Sequence, residues 1–294
     1  MRLFCLLVVL CVLALALATA ASSAAVDLGT AGLYAGAALN GQLKFTVSSG
    51  GTNVWGDVFI GDGPSSPDMD FNGGSKIYGT IYKNPSAVVN ISGGSSATGG
   101  VVAMTVPQTT QISTDLSNAL AQVAALTATQ ASLGNYKPSG SANIYATVSG
   151  LNVVDATNVE LQGGATLTFH GTTSDYFVLR CSSMQLGDLI TGGNSNISAD
   201  GMGAGHLLFV VDNDITMSGG VIDGTYISKF GNITLSDGTH YGSYILAAAD
   251  MQLKFQSAPQ VHYVGFVIPE PGSLLALASG LVGFAGFALR KRRQ

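Results

Sequence analysis

Charge is scarce in this sequence. Only 10% of its 294 residues are Asp, Glu, Lys or Arg. Setting aside Arg2, Glu270 and the four cations at 290–293 leaves sixteen acidic and seven basic residues, a net −9 for the interior of the chain. Arg180 is the only arginine there and Glu160 the only glutamate. Nucleic acid and anionic membrane surfaces require clustered cations, so both are excluded as partners of this part. Cysteine is nearly absent too, at Cys5, Cys11 and Cys181. A disulfide scaffold and a cysteine metal site both need more. The four histidines, His170, His206, His240 and His262, stand far apart, without helical or hairpin metal spacing. There is no Gly-x-Ser-x-Gly elbow and no phosphate loop. A polysaccharide-cleaving site would need convergent carboxylates or bases over a groove. Asp212, Asp214, Asp223 and Asp250 supply acids, but with one arginine and one glutamate the chain is expected to be non-catalytic and free of cofactors. Asp212-Asn213-Asp214 and Asp68-Met69-Asp70 offer oxygens that calcium accepts; loop or corner carboxylates are the expected role.

Long apolar runs occur only at the two ends. Leu3–Ala18 follows one positive charge and precedes small residues at Ala18-Thr19-Ala20 and Ser23-Ala24-Ala25. This is the pattern of a secretory signal peptide over residues 1–25. Its removal takes Cys5 and Cys11 with it, leaving Cys181 as a small buried hydrophobe. At the other end, Pro269-Glu270-Pro271-Gly272 leads into an uncharged run, 273–289, and then Arg290-Lys291-Arg292-Arg293. As a helix that run spans roughly 25 Å, slightly short of a ~30 Å hydrocarbon core. The basic cluster would hold its end on the cytoplasmic side.

Between the ends, residues 26–267 are rich in glycine, and small polar residues alternate with Ile, Val, Leu and Phe. Short apolar pieces at 43–47, 54–60, 76–82 and 88–91 are separated by Ser48-Ser49-Gly50-Gly51, Asp62-Gly63-Pro64 and Asn72-Gly73-Gly74, which are turn chemistry. One helix is expected, about 111–133. Ile112, Leu116, Ala119, Leu120, Val123 and Thr127 lie on one face of a 3.6-residue period. Thr110 or Ser113 would cap its start, and Gly134 with Pro138 would end it.

A repeat follows the helix. Asn196, Asp214, Asn232 and Asp250 open similar six-residue motifs eighteen residues apart. Phe209, Ile227, Ile245 and Tyr263 keep the same step, and Gly224-Thr225-Tyr226-Ile227 nearly repeats as Gly242-Ser243-Tyr244-Ile245. Eighteen residues suit one coil of a β-solenoid with three short faces. Strand alternation then points Ile197, Ile215, Ile233 and Met251 inward. The outward row would be a candidate surface ladder of Ser198, Thr216, Thr234 and Gln252. The expected fold class is therefore mainly β: a β-solenoid of ~18-residue coils with one long α-helix packed alongside.

Two resemblances extend this reading. The tail, through Pro269, Glu270, Pro271, Arg290, Lys291, Arg292 and Arg293, resembles the PEP-CTERM sorting signal of bacterial exopolysaccharide producers. That likeness implies recognition by a membrane sorting enzyme of the exosortase type, a transient membrane-spanning intermediate, and delivery to the cell surface or matrix. The body is similar to ice-binding-protein-like β-solenoid domains, through Gly56-Asp57-Val58, then a helix, then coils. It is also similar to choice-of-anchor A adhesin-like domains, through Leu151–Asp155, Asp175–Val178, Gly242–Ala247 and Val261–Val264. These likenesses imply a structural or adhesive surface role toward exopolysaccharide or another surface glycan. The alternatives are ice binding through the Ser/Thr ladder, or a polysaccharide-active enzyme.

Overall fold

Pairs of left-handed residues turn the chain repeatedly at one corner. Gly73-Gly74, Gly93-Gly94, Gly163-Gly164 and Gly219-Gly220 each have both residues at positive φ. That is the geometry of a tight two-residue turn, which side chains disfavour. Each pair joins one short strand to the next. Where the doublet is missing, Asp237-Gly238 and Ser257-Ala258 adopt the same conformation.

The computed structural model describes residues 26–46, 51–63, 66–187 and 193–266. The expected signal peptide, 1–25, and the tail, including the 273–289 run, lie outside them. Among the described residues no helix is long and apolar enough to cross a membrane. The 23 strands among the described residues form one continuous sheet, and the pairings along it are parallel. Parallel neighbours require a crossover, which each coil supplies by passing through the other two faces. The result is a three-faced β-solenoid.

Its coil order differs from its chain order. The chain enters in the middle of the stack, at the strand Gly36–Thr46. Coils through Val58–Ile60, Met69–Phe71, Ile81–Lys83 and Val101–Ala103 then build toward one end. A helix, α1 (Val106–Ala125), carries the chain back to the opposite end. From there, coils containing Leu151–Asp155, Tyr176–Cys181, Leu207–Val211 and Val221–Ser228 return toward the start. The last long strand, Thr239–Gln256, pairs with Gly36–Thr46, and Gln260–Tyr263 pairs with Asn53–Trp55. First and last coils thus meet within the stack.

We refer to the faces by their central strands. Face 1 holds Leu207–Val211, face 2 Ile215–Ser218, and face 3 Asn196–Asp200. Inward residues form an apolar core containing two aromatic stacks. Phe209, Tyr226 and Tyr244 lie nearly parallel at 4.5 and 5.4 Å, and Phe45 sits between Phe71 and Phe255, 4.7 Å from each. The outward residues of face 1, including Phe59, Val178, Ile227 and Ile245, are buried as well. They lie beneath α1, whose Ile112, Leu116, Ala119 and Val123 are buried. Arg180 joins the two layers. It donates to the carbonyls of Val123 and Leu126 at the end of α1, and in a fork to Asp155 at 2.7 and 3.0 Å. A guanidinium suits both the orphan carbonyls and the negative end of the helix dipole.

Two sequence expectations are corrected here. The helix runs 106–125, not 111–133. Gln108 reaches back to the Thr105 N–H at 2.8 Å, a capping contact. Pro107 is tolerated because it lies in the first turn. At the far end Arg180 takes the carbonyls, and Thr129 and Leu133 pair with the edge strand Leu151–Asp155 instead of continuing the helix. The constant eighteen-residue step also fails. It holds for Ile215↔Ile233 and Tyr226↔Tyr244, but the register is Phe209↔Tyr226 and Ile233↔Leu253. Coils lengthen freely at their corners, so sequence spacing does not fix the stacking.

One buried histidine gives the fold a pH dependence. The His240 Nε2–H donates to the Asp237 carbonyl at 2.8 Å, and Nδ1 accepts from the Tyr244 hydroxyl at 2.9 Å, the arrangement of a neutral ring. Burial pushes its pKa from 6.5 down to about 4. Between those values the unfolded chain binds a proton that the folded chain refuses, so stability falls as pH drops through the window. Urea unfolding is expected to lose on the order of 3 kcal/mol between about pH 7 and about pH 4 through this residue. His240→Gln should flatten that part of the profile; an unchanged profile would refute the assignment.

Candidate functional site

With face 1 covered by α1, the open outward surfaces belong to faces 2 and 3. Strand alternation and register fix which residues share a row. On face 2 the central row runs Glu160, Gln185, Thr216, Thr234, Lys254, Lys44, Asp70, Asn90. Beside it runs a row of amides and hydroxyls joined along the stack. Asn158 donates to Asn135 at 2.8 Å, Ser183 to Asn158 at 2.7 Å, and Gln252 to Gln42 at 2.7 Å. Asp214 accepts from the Asn232 backbone at 2.7 Å.

The expected ladder is therefore divided. Thr216 and Thr234 are neighbours in one row. Gln252 lies in the adjacent row against Gln42, because the left-handed Asp250 falls in a coil two residues longer than the last and Thr234 meets Lys254. Ser198 is on face 3, beside Thr168.

Face 3 carries a feature that sequence reasoning missed. Tyr241, His262, Trp55 and Tyr78 form one outward row of stacked rings. Trp55 lies 4.2 Å from His262 at 3° and 5.1 Å from Tyr78 at 14°; Tyr241 lies 5.1 Å from His262. Trp55 is the only tryptophan of the chain. The row crosses the junction of first and last coils, which is why no sequence spacing reveals it. Further along the face, His170 bridges Asp200 and Asn143, each at 2.8 Å, with Tyr145 stacked on its ring. Asp223 lies next to Tyr241 in the same row, its pKa raised by burial and its carboxylate accepting from the Ala199 N–H.

The acidic pairs noted in the sequence are occupied structurally. Asp68 accepts from the Gly63 and Val88 N–H groups, and Asp212 pairs with Lys229 at 2.7 Å. Among the described residues no His/Cys/Asp/Glu cluster is arranged to hold a metal. Cys181 is buried, and burial pushes its thiol up to about 12, which makes it inert. The chemistry on offer is an extended display of hydrogen-bonding groups along two faces.

This architecture, coils stacked out of chain order with a helix along one face, is the fold of solved ice-binding proteins. The DUF3494 domain of a Shewanella frigidimarina ice-binding protein aligns with a TM-score of 0.59 at 18% identity, covering 82% of this chain and 98% of that one. An ice-binding protein from an Arctic yeast aligns at 0.54 and 13% identity, covering 84% and 97%. One from the Antarctic ascomycete Antarctomyces psychrotrophicus aligns at 0.52 and 18%, covering 81% and 98%. At these identities the likeness establishes the fold. No curated protein matches the sequence. Residues 267–293 match the PEP-CTERM protein-sorting motif, so the chain carries an exosortase-type sorting signal.

Proposed function

We propose that this protein is an exported, exosortase-sorted component of the cell surface or extracellular matrix, with a non-catalytic structural or adhesive role toward glycan. The sorting motif supports the destination. The observation that carries the role is the outward surface of face 2, where amides and hydroxyls follow one another along the stack while Lys254, Lys44 and Asp70 interrupt them. Many weak, repeated contacts of this kind give avidity toward a polymer without any single strong site. Deleting the gene is expected to reduce both biofilm cohesion and surface attachment; unchanged values of both would overturn the proposal.

Ice binding is the second reading, and the shared fold favours it. A flat, regular hydroxyl array would serve that function, and face 2 supplies only the Thr216–Thr234 pair within a charged row. On our reading the purified body shows no thermal hysteresis. On the ice-binding reading it does, and Thr234→Tyr abolishes it. A thermal-hysteresis assay of both proteins separates the two.

A further inference from the structure

Resting on the glycan-contacting reading, we propose that the aromatic row of face 3 and the amides beside it form a binding strip for a neutral polysaccharide. Side by side across the coil junction stand Tyr241, His262, Trp55 and Tyr78 in one row, and Gln260 and Asn53 in the next. Asn53 donates to Gln260 at 3.0 Å, which links the amide row across the junction. The aromatic rings stack on one another, so their faces are largely taken and the strip offers edges and tips. Ring edges carry the positive end of the quadrupole and attract hydroxyl and ether oxygens. The phenol, indole and imidazole tips add hydrogen-bonding groups, as do the free valences of the amides. Tyr78 and Tyr241 are 41% and 38% exposed, so part of each side chain is open to solvent. Rigid aromatics with polar tips give contact area at low entropic cost.

Charge selects among polymers. In the two rows from Thr239 and Tyr241 through Lys76 and Tyr78 the one cation is Lys76; beyond Tyr241 its row continues to the partly buried carboxylate of Asp223, which accepts from the Ala199 N–H, on a body of net −9. A polyanion would meet one lysine and the repulsion of the whole body. A neutral chain laid along the strip meets neither, and the length of the stack lets several sugar units engage at once.

The test is affinity electrophoresis of the folded body in gels holding laminarin, dextran or hydroxyethylcellulose, with alginate as the anionic comparison. Trp55 fluorescence is read during the same titrations. Retardation by at least one neutral polymer is expected, with a shift in Trp55 emission, and Tyr78→Ala with Tyr241→Ala should weaken it about tenfold or more. Asn53→Ala, which leaves the rings in place, should weaken it by a smaller factor, and circular dichroism confirms that each variant is folded. Neutral retardation unaffected in the folded double variant would overturn the strip while leaving the glycan-contacting role standing. Retardation by alginate alone would overturn the neutral ligand. No retardation by any polymer would overturn the strip, and a cohesion defect in the deletion strain would still show the broader role to be sound.

Discussion

Phe45→Ala is expected to cost about 4 kcal/mol of folding stability. Its ring is fully buried, nearly parallel to Phe255 on one side and edge-on to Phe71 on the other, 4.7 Å from each. Truncation leaves a cavity bounded by two aromatics that cannot close on each other without moving their strands, and it removes two ring–ring contacts of about 0.5–1.5 kcal/mol each. The location matters as much as the volume. Phe45 lies on Gly36–Thr46, the strand that joins the first coils to the last. Urea unfolding of the body measures the loss, and a change below about 1 kcal/mol would show that the junction is not held as described. A conservative change away from it, Ile144→Val, should cost about 1 kcal/mol.

Gly242→Ala is expected to prevent folding or to remove more than about 3 kcal/mol. The obstacle is space. A Cβ on Gly242 would fall deep within the van der Waals radius of the Gly224 carbonyl oxygen on the neighbouring coil. Side-chain rearrangement cannot relieve a clash with backbone, so the two coils would have to separate. Those coils are paired over eight residues, from Val221↔Thr239 to Ser228↔Leu246, and Tyr226 and Tyr244 stack between them. Gly140 provides the control. A Cβ there meets nothing within 4 Å, so Gly140→Ala should change stability by less than about 0.5 kcal/mol. Soluble yield and melting temperature of the two variants decide the matter; a folded Gly242→Ala body with an unshifted melt would contradict the packing.

These glycines also show what the sequence makes legible. The near-verbatim repeat around Gly224 and Gly242 marks two coils that do stack in register, and the glycine doublets mark one recurring corner. The repeat is a local feature from which a solenoid could be read, as the one helix could from the spacing of Ile112, Leu116, Ala119 and Val123. Register beyond the repeated pair could not, because corner loops absorb residues without disturbing the strands. Ser198 and Thr216, eighteen residues apart, lie on different faces for that reason. The helix boundaries escaped for a different reason. Arg180, more than fifty residues further along the chain, holds the carbonyls at which α1 stops. The aromatic strip was the least legible feature, since Trp55 and His262 meet only when the two ends of the body come together.

That meeting imposes an order of events on synthesis. A growing chain delivers Gly36–Thr46 early and its partner Thr239–Gln256 last. Until then, the first three coils stand as an incomplete stack with one long hydrogen-bonding edge bare, the kind of edge that recruits strands from other molecules. Closure joins segments some two hundred residues apart, a contact of high sequence separation that makes folding slow. A truncated or stalled chain thus keeps its adhesive edge, whereas a finished one seals it with its own final strands. The completed body conceals the very surface by which its fragments would aggregate.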